Sequence, residues 1–343
     1  MLVRTPVPRQ LEELLDPTWL TDALADTAAG ERVVAVEQAD SVRTLAEKVR
    51  FTVTFERPGG ERRVEPYCVK GHFDDSPNTL MPETRFYREL RPLLDVRTPR
   101  AHYTGIDEES GRSLIIMDDV VARGGRFLSA HTPYNLATCR DSLEQLARLH
   151  AATWGDDRWN VDWLRPRIAS MRRMYATDRL QQLLDDGRGG PDMPADLRDA
   201  HALVAAMDKA AEAPATCVIH GDTHSGNVYL DAEGRASWLD WQVTQRGHWS
   251  TDVSYHIATV LDIEDRRAHE ADLLRHYLDA LRTHGVTPPP WDEAWERYTL
   301  GFVHGWFLWV ITQISSRAVV LIHIPRLAAA LTDHRTFRRL GVV

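Results

Sequence analysis

The 343-residue sequence is poor in cysteine, and its few cysteines form no pattern. Cys68, Cys139 and Cys217 lie far apart, and none belongs to a C-x-x-C pair. An odd number of scattered cysteines provides no disulfide framework. Such cysteine usage is typical of a reducing compartment, so we expect a cytoplasmic location.

Lysine is also rare, and the basic residues are dispersed. The chain has only Lys48, Lys70 and Lys209, no run of Lys and Arg exceeds two residues, and the net charge is −9. Binding to nucleic acid of any sequence requires a concentrated positive surface, because it depends on neutralising phosphates. We therefore expect no nucleic-acid partner.

No apolar run is long enough to cross a bilayer. The most apolar window, residues 301–314, has 14 residues and contains His304, Thr312 and Gln313. A spanning helix needs about 20 apolar residues, so this window predicts a buried helix. Residues 1–16 lack the apolar core of a secretion signal. We expect no membrane partner.

The N-terminal third has the pattern of an antiparallel sheet with flanking helices. Asp16 followed by Pro17 predicts a helix start. Strand-like runs follow at residues 31–39, 47–56 and 62–73; the second alternates apolar and polar residues, and a Pro-Gly-Gly turn joins it to the third. A helix over residues 78–94 and a second hairpin over 99–120 complete this part.

From about residue 120 the pattern becomes helical. The clearest case is residues 135–155, where leucines recur at helical spacing and the run stops at Gly155. The sequence therefore predicts an α+β fold of two domains, a sheet-containing domain over 1–117 and a mainly helical domain over 118–343.

The richest chemistry lies in residues 217–242, "CVIHGDTHSGNVYLDAEGRASWLDWQ". Short strands around the turn at 232–235 predict a hairpin, which would bring Asp222, Asn227 and Asp240 close together. Two carboxylates and an amide oxygen suit Mg²⁺, which prefers oxygen ligands. A phosphoryl-transfer site needs such an arrangement.

A metal-dependent hydrolase is an alternative interpretation of the same segment. His220, Asp222 and His224 form an H-x-D-x-H cluster, and His248 and His256 could supply further ligands. In contrast, His220 in a kinase-type loop would brace the backbone rather than bind metal. Both interpretations remain open at this point.

The spacing resembles that of kinases, in which the catalytic-loop aspartate precedes a metal-binding asparagine by five positions. "HGDTHSGN" and "LDW" resemble the H-G-D-x-x-x-x-N loop and D-F-G counterpart of the aminoglycoside phosphotransferase and choline kinase superfamily. The resemblance implies a bilobal protein-kinase-like fold and ATP- and Mg²⁺-dependent phosphorylation of a small-molecule hydroxyl. It makes Asp222 the catalytic base and Asn227 and Asp240 the metal ligands.

The resemblance also predicts the nucleotide-binding residues. Lys70, at the end of the third strand, would bind the α/β-phosphates, held by Glu83 or alternatively Glu89. The E-x-x-F-Y order beginning at Glu83 resembles the choline kinase-like and ecdysteroid kinase-like branch, which favours Glu83. The adenine would meet backbone groups between Met117 and Asp119.

One part of the pattern departs from protein kinases, because residues 37–48 contain no glycine where the nucleotide lid should lie. This departure keeps a third possibility open, a nucleotide-binding pseudokinase scaffold. Asp252 resembles the family aspartate that anchors the catalytic loop. Candidate acceptor-binding residues are aromatic or imidazole side chains: His224, Tyr298, His304, Trp306 and Trp309.

Overall fold

The computed structural model describes residues 6–43, 46–74, 79–190 and 193–343. The chain is divided into two compact units. The N-terminal unit comprises residues 1–93, 98–126 and 231–234, and the C-terminal unit comprises 94–97, 127–230 and 235–343. The predicted boundary between residues 117 and 118 stays a prediction.

A five-stranded antiparallel sheet dominates the N-terminal unit, in the order β1-β2-β3-β5-β4. Its strands are β1 Arg32–Arg43, β2 Glu47–Glu56, β3 Arg62–Gly71, β4 Ala101–Asp107 and β5 Arg112–Asp118. The helices are α1 Leu11–Leu14, α2 Pro17–Ala23, α3 Ala25–Ala28 and α4 Met81–Arg85. The predicted hairpins are thus present.

One face of this sheet is covered, as alternation along β2 requires. The odd-numbered residues Val49 to Phe55 are buried, whereas the polar residues between them are half-buried. They pack with α2, whose start is capped as predicted: Asp16 Oδ1 accepts the N–H groups of Thr18 at 2.8 Å and Trp19 at 3.0 Å.

The helix predicted over residues 78–94 is broken into three types. Residues 75–78 lie outside the described ranges, α4 spans only Met81–Arg85, and a π-helical turn, Phe86–Leu90, and a 3₁₀ turn, Arg91–Leu93, follow. A π-helix is rare because its wide turns pack poorly. Burial of Phe86, Tyr87 and Leu90 against the unit offsets that cost here.

The C-terminal unit is mainly helical, which confirms the predicted α+β class. Its helices are α5 Leu136–Ala152, α6 Ile168–Arg173, α7 Thr177–Asp185, α8 Ala200–Ala210, α9 Trp249–Val260, α10 Ile263–Thr283, α11 Trp291–Leu300, α12 Phe302–Ile311, α13 Arg317–Asp333 and α14 Thr336–Arg339. Every residue of α9 is buried, and α5, α10, α11, α12 and α13 pack around it.

Short strands of this unit position the motif segment. The two-residue strand β6, Arg126–Phe127, straddles the division between the units, and β7 Cys217–Ile219 pairs with β10 Gln245–Gly247. The strands β8 Val228–Leu230 and β9 Ala236–Trp238 form the predicted hairpin. None of the helices in the described ranges is long and apolar enough to cross a membrane.

Candidate active site

The loop that carries Asp222 begins where β7 ends, and its entry requires a glycine. Gly221 has φ +84°, in the left-handed region, and a Cβ atom there would lie 2.6 Å from the Val243 carbonyl oxygen. A side chain at this position would therefore face both backbone strain and a collision. The glycine lets the chain turn sharply between His220 and Asp222.

Asp252, in the first turn of α9, holds this loop through hydrogen bonds to its backbone. It has no exposed surface, and its carboxylate accepts the backbone N–H groups of His220 at 2.7 Å and Gly221 at 2.8 Å, together with His150 Nε2 at 3.1 Å. Burial by itself raises the pKa of Asp252, but these hydrogen bonds and the nearby imidazoles outweigh it and leave the pKa below its usual value.

His220 joins the two ends of the motif segment through the backbone. Its Nδ1 accepts the Asp222 N–H at 3.2 Å, and its Nε2 donates to the Leu239 carbonyl oxygen at 3.0 Å. This pattern requires a neutral ring, and burial lowers the pKa of His220 accordingly. His220 thus braces the loop with both nitrogens and has no lone pair left for a metal ion.

The five-residue spacing between Asp222 and Asn227 produces a direct contact. A 3₁₀ turn over Ser225–Asn227 folds the chain back, and Asn227 Nδ2 donates to the Asp222 backbone oxygen at 2.8 Å and to Asp222 Oδ2 at 3.0 Å. Asn227 Oδ1 accepts no hydrogen bond from the residues that the structure describes. The amide oxygen is therefore available to a cation.

Two further side chains lie against the Asp222 carboxylate. The Tyr255 hydroxyl, on α9, donates to Oδ1 at 3.0 Å, and His224 Nε2 lies 3.5 Å from Oδ2. Burial and the charge of Asp222 raise the pKa of the Tyr255 phenol well above its usual value, so Tyr255 keeps its proton. Asp222 remains about a quarter exposed, which leaves it accessible to a substrate.

These donors outweigh the effect of burial on Asp222. Burial raises the pKa of this carboxyl, but the electrostatic and hydrogen-bond effects of His224 and the Tyr255 hydrogen bond hold it well below its usual range. His224 Nδ1 accepts the Gly226 N–H at 3.0 Å, so the proton of a neutral ring lies on Nε2, towards Asp222. Asp222 is an oriented carboxylate at neutral pH.

Asp240 follows the second hairpin strand in an unusual backbone conformation. Its φ of 64° and ψ of 68° are left-handed, and a 3₁₀ turn, Trp241–Val243, begins directly after it. Aspartate tolerates this conformation better than most residues. The Leu239 N–H donates to the Asn227 carbonyl oxygen at 3.0 Å, so the chain reaches Asp240 from a residue bonded to Asn227.

Lys70 and Glu83 form a buried ion pair within the N-terminal unit. The Lys70 Nζ lies 2.5 Å from Glu83 Oε2, and the two residues are 4% and 1% exposed. Glu89, the alternative partner, instead pairs with Arg85 and Arg88 near the surface. The strand β3 and the helix α4 therefore bring Lys70 to Glu83.

The predicted adenine-binding segment lies at the end of β5. Met117 is paired in the sheet with Cys68, and the Asp118 N–H donates to the Arg100 carbonyl oxygen at 2.9 Å. Asp119 is buried, accepts Arg50 Nε at 2.8 Å and caps the next turn through the Val121 N–H. Its side chain is thus committed to structure.

The predicted acceptor residues separate into two sets. His224 lies at Asp222, with the Trp309 ring centroid 5.3 Å from its own, and His304 Nε2 donates to the Gly221 carbonyl oxygen at 2.7 Å. Tyr298 instead lies in the core, where its hydroxyl donates to Glu270 at 3.0 Å. Trp306 is fully buried as well.

Sequence reasoning missed two residues beside Asp222. Tyr255 lies three positions after Asp252, one helical turn away, so the helical pattern could have placed it on the face that meets the loop. His323, on α13, packs 4.1 Å from Trp309 and 5.7 Å from His224, centroid to centroid. No local signal connects it to the motif.

The geometry disfavours a hydrolase site built from histidines. His256 Nδ1 donates to the Thr223 carbonyl oxygen at 2.8 Å, and His248 caps the start of α9. Across residues 6–43, 46–74, 79–190 and 193–343, no group of three or more His, Cys, Asp or Glu side chains is arranged to hold a metal ion.

Comparison with known proteins agrees with the motif. A family model described as "Phosphotransferase enzyme family" matches residues 41–287, whereas a search of curated sequences gives no match. The fold is similar to that of an ethanolamine kinase from Plasmodium vivax, at 12% identity and a TM-score of 0.52, covering 94% of this chain and 89% of that one.

A spectinomycin phosphotransferase solved with ADP and spectinomycin is similar to the same degree. Its TM-score is 0.52 at 11% identity, and the match covers 96% of this chain and all of that one. At identities this low, the structural similarity shows a common fold and nothing more. It confirms the kinase-like fold class. Because the family model spans well over half of its residues, the chain belongs to the phosphotransferase enzyme family.

Proposed function

We propose that this protein transfers the γ-phosphoryl group of ATP to a hydroxyl of a small molecule, with Mg²⁺ as the metal. The observation that carries the proposal is the Asp222 carboxylate, which three side chains orient and which bonds directly to Asn227. A phosphoryl-transfer site depends on positioning and charge stabilisation, and this loop provides both.

The residues present fit a magnesium ion. Both hydrogens of Asn227 Nδ2 are directed to Asp222, which leaves Oδ1 for a cation, and Asp240 follows a residue bonded to Asn227. We assign Asn227 and Asp240 as the groups that would hold the ion. When bound, Mg²⁺ would neutralise charge on the nucleotide phosphates.

Nucleotide binding is assigned to the N-terminal unit. Lys70 would bind the α/β-phosphates, since its pairing with buried Glu83 fixes the ammonium in one position. The adenine would meet backbone groups between Met117 and Asp119. The glycine-free lid between β1 and β2 includes residues 44 and 45, which lie outside the described ranges.

Asp222 would act on the acceptor hydroxyl. Because its pKa lies below the usual range, it is a weak base that orients the hydroxyl and accepts the proton late, when the oxygen has begun to bond to phosphorus. His220 and Asp252 would hold the loop in place. A loose transition state requires no stronger base.

The acceptor would lie against the aromatic and imidazole groups beside Asp222, of which His224 and Trp309 are the nearest. His304 and Trp306 would support this wall from the core, whereas Tyr298, whose hydroxyl donates to Glu270, is not assigned to it. Aminoglycoside-, choline- and sterol-like alcohols are the classes to be screened. A sterol-like alcohol corresponds to the ecdysteroid kinase-like branch favoured by the E-x-x-F-Y order at Glu83.

The test compares Asp222→Ala with a matched surface variant. Asp208→Ala removes an exposed carboxylate of α8 that pairs with Arg172. We expect Asp222→Ala to lower phosphate transfer from Mg²⁺-ATP about 10²–10⁴-fold, with unchanged unfolding, whereas Asp208→Ala keeps full activity. Asp240→Ala should also abolish transfer, and it should weaken Mg²⁺-ATP binding.

The assay also separates the alternatives. A protein that binds Mg²⁺-ATP but neither transfers phosphate nor hydrolyses ATP would be a scaffold. Stabilisation by Zn²⁺ or Mn²⁺ alone, without ATP, would favour a hydrolase. Near-normal transfer by Asp222→Ala would refute the assignment of the base.

A further inference from the structure

A small cavity in the C-terminal unit is lined by basic groups and lies behind the candidate catalytic loop. It has a volume of about 50 Å³, and its polar lining consists of Lys209, His248, Ser250, Thr251, Arg297 and His304. We call it the basic cavity. Every titratable side chain that lines it is basic, in a chain whose net charge is −9.

Arg297 is the charge in this cavity without a counter-charge. It lies in the last turn of α11, and its guanidinium forms no ion pair with any residue in the described part of the chain. Lys209, in contrast, pairs with Glu212 at 3.1 Å near the surface. The pKa of His248 falls to about 4, because of burial first and the charge of Arg297 second.

His304 supplies an independent sign of a ligand. It is 2% exposed, its Nε2 donates to the Gly221 carbonyl oxygen, and its Nδ1 has no hydrogen-bond partner in the described residues. A buried polar nitrogen without a partner is uncommon and costs free energy. The carbonyl bond places one proton on Nε2, so Nδ1 is an acceptor in the neutral ring and a donor only in the charged ring.

The groups that face His304 differ on its two sides. Burial lowers the pKa of His304 below its usual value, although Asp252 on α9 and Asp222 in the loop act to raise it. The Tyr255 ring lies 6.1 Å away, centroid to centroid. On the cavity side stand Lys209, His248 and Arg297. A divalent anion in the cavity would offset the charges of Lys209 and Arg297 and stabilise a charged His304.

We propose that the basic cavity binds a small divalent oxyanion of the sulfate or phosphate class, held by Arg297 and by a protonated His304. The volume exceeds the 10–15 Å³ needed for one water and admits a single oxyanion group. The positive end of α9, at Ser250 and Thr251, adds favourable potential. Because oxyanions of this class accept hydrogen bonds, Nδ1 must become a donor when one binds.

Such binding would be communicated to the catalytic loop through one ring. A charged His304 makes a stronger hydrogen bond to the Gly221 carbonyl oxygen, and Gly221 directly precedes Asp222. The anion would therefore act from behind the loop on a residue next to the candidate base. This site is independent of the proposed function, because anion binding can be measured without any phosphate transfer.

The experiment titrates sulfate, which is fully deprotonated near neutral pH, by calorimetry at constant ionic strength and with saturating ADP. Nucleotide in excess keeps sulfate out of the nucleotide site. We expect one sulfate per chain, uptake of a proton in buffers of different ionisation enthalpy, and affinity that falls by up to about tenfold per pH unit above neutrality. Phosphate should compete with sulfate.

Three variants test the ligands. Arg297→Gln should weaken sulfate about tenfold or more, because it removes a charge-assisted hydrogen bond. His304→Gln keeps an N–H for the Gly221 carbonyl but cannot be charged, so proton uptake should disappear. Arg282→Gln, which removes an exposed arginine paired with Asp279, should change neither quantity.

Three results would overturn the proposal. Sulfate binding that Arg297→Gln leaves unchanged would place the anion elsewhere. Binding without proton uptake in the unmodified protein would exclude His304 as a ligand. No saturable binding at millimolar sulfate would mean that the cavity holds only water.

Discussion

Replacing Tyr255 by phenylalanine tests how far the orientation of Asp222 determines the reaction rate. The substitution removes one O–H group, which donates to Asp222 Oδ1 at 3.0 Å, and it keeps the buried ring. A hydrogen bond to a charged group contributes about 1.5–3 kcal/mol, which corresponds to roughly ten- to hundredfold in rate. We expect about tenfold, because Oδ2 keeps its bond from Asn227.

The pH dependence should move in a defined direction. The pKa of Asp222 is low because donors stabilise its charged form, so removal of one donor raises it. The acidic limb of the pH–rate profile should therefore shift towards neutral pH. The assay is Mg²⁺-dependent ATP turnover, with water in place of the unidentified acceptor if no acceptor is found, and it measures kcat and KM across pH.

The matched control is Tyr298→Phe, which removes an equally buried hydroxyl that donates to Glu270. It should leave kcat and the pH profile unchanged. A kcat of Tyr255→Phe within twofold of the unmodified protein, together with an unmoved acidic limb, would refute the argument that this tyrosine positions Asp222. A Tyr255→Phe variant with a raised KM and an unchanged kcat would contradict the argument as well.

Two further predictions concern stability. Asp252→Asn should lower the free energy of unfolding by about 3 kcal/mol or more in urea, because one carboxylate accepts two loop N–H groups and His150, and a loss below about 1 kcal/mol would contradict this support. Stability should also fall as the pH drops from about 6.5 towards 4, since burial lowers the pKa of His256 to about 4 and the unfolded chain takes up that proton first. His256→Gln, which cannot be charged, should show a shallower fall in unfolding midpoint between pH 7 and pH 5; equal slopes in both proteins would contradict the assignment.

The local elements of the N-terminal unit were predictable because short-range rules decide them. Alternation in 47–56 predicted the strand that the structure has, and the Pro-Gly-Gly turn predicted its hairpin. Asp16 before Pro17 predicted the start of α2, which the two hydrogen bonds to Asp16 confirm. In these cases the residues that form the pattern and the residues that make the contacts lie within a few positions of one another in the chain.

The helix over 78–94 was predicted with the wrong regularity. Its apolar residues Phe86, Leu90 and Leu94 recur every four positions, and such a repeat fits both an α-helix and a helix with a wider turn. The periodicity therefore cannot distinguish them. In the structure Phe86 and Leu90 are both buried, and the turn that contains them is π-helical.

The candidate site was partly predictable for the same reason. The five-position spacing of Asp222 and Asn227 is short enough for one 3₁₀ turn to join them, so their contact follows from the local chain. The choice between Glu83 and Glu89 also followed from a local motif, and the structure brings Lys70 to Glu83. Their catalytic roles remain predictions that the proposed variants test.

Local patterns were enough to predict the α+β class, the strand pairs joined by tight turns, the family motif and the contact of Asp222 with Asn227, because each depends on residues close together in the chain. The folded arrangement was needed to show that Tyr255 donates to Asp222, that Asp252 and His150 hold the loop, and that Arg297 and His304 share a basic cavity. The hydrogen bond from Tyr255 and those that Asp252 makes with the loop and with His150 join residues 31 to 102 positions apart. They exist because the buried helix α9 packs against α5, α11 and α12, and a packing arrangement is a property of the whole unit rather than of any one segment.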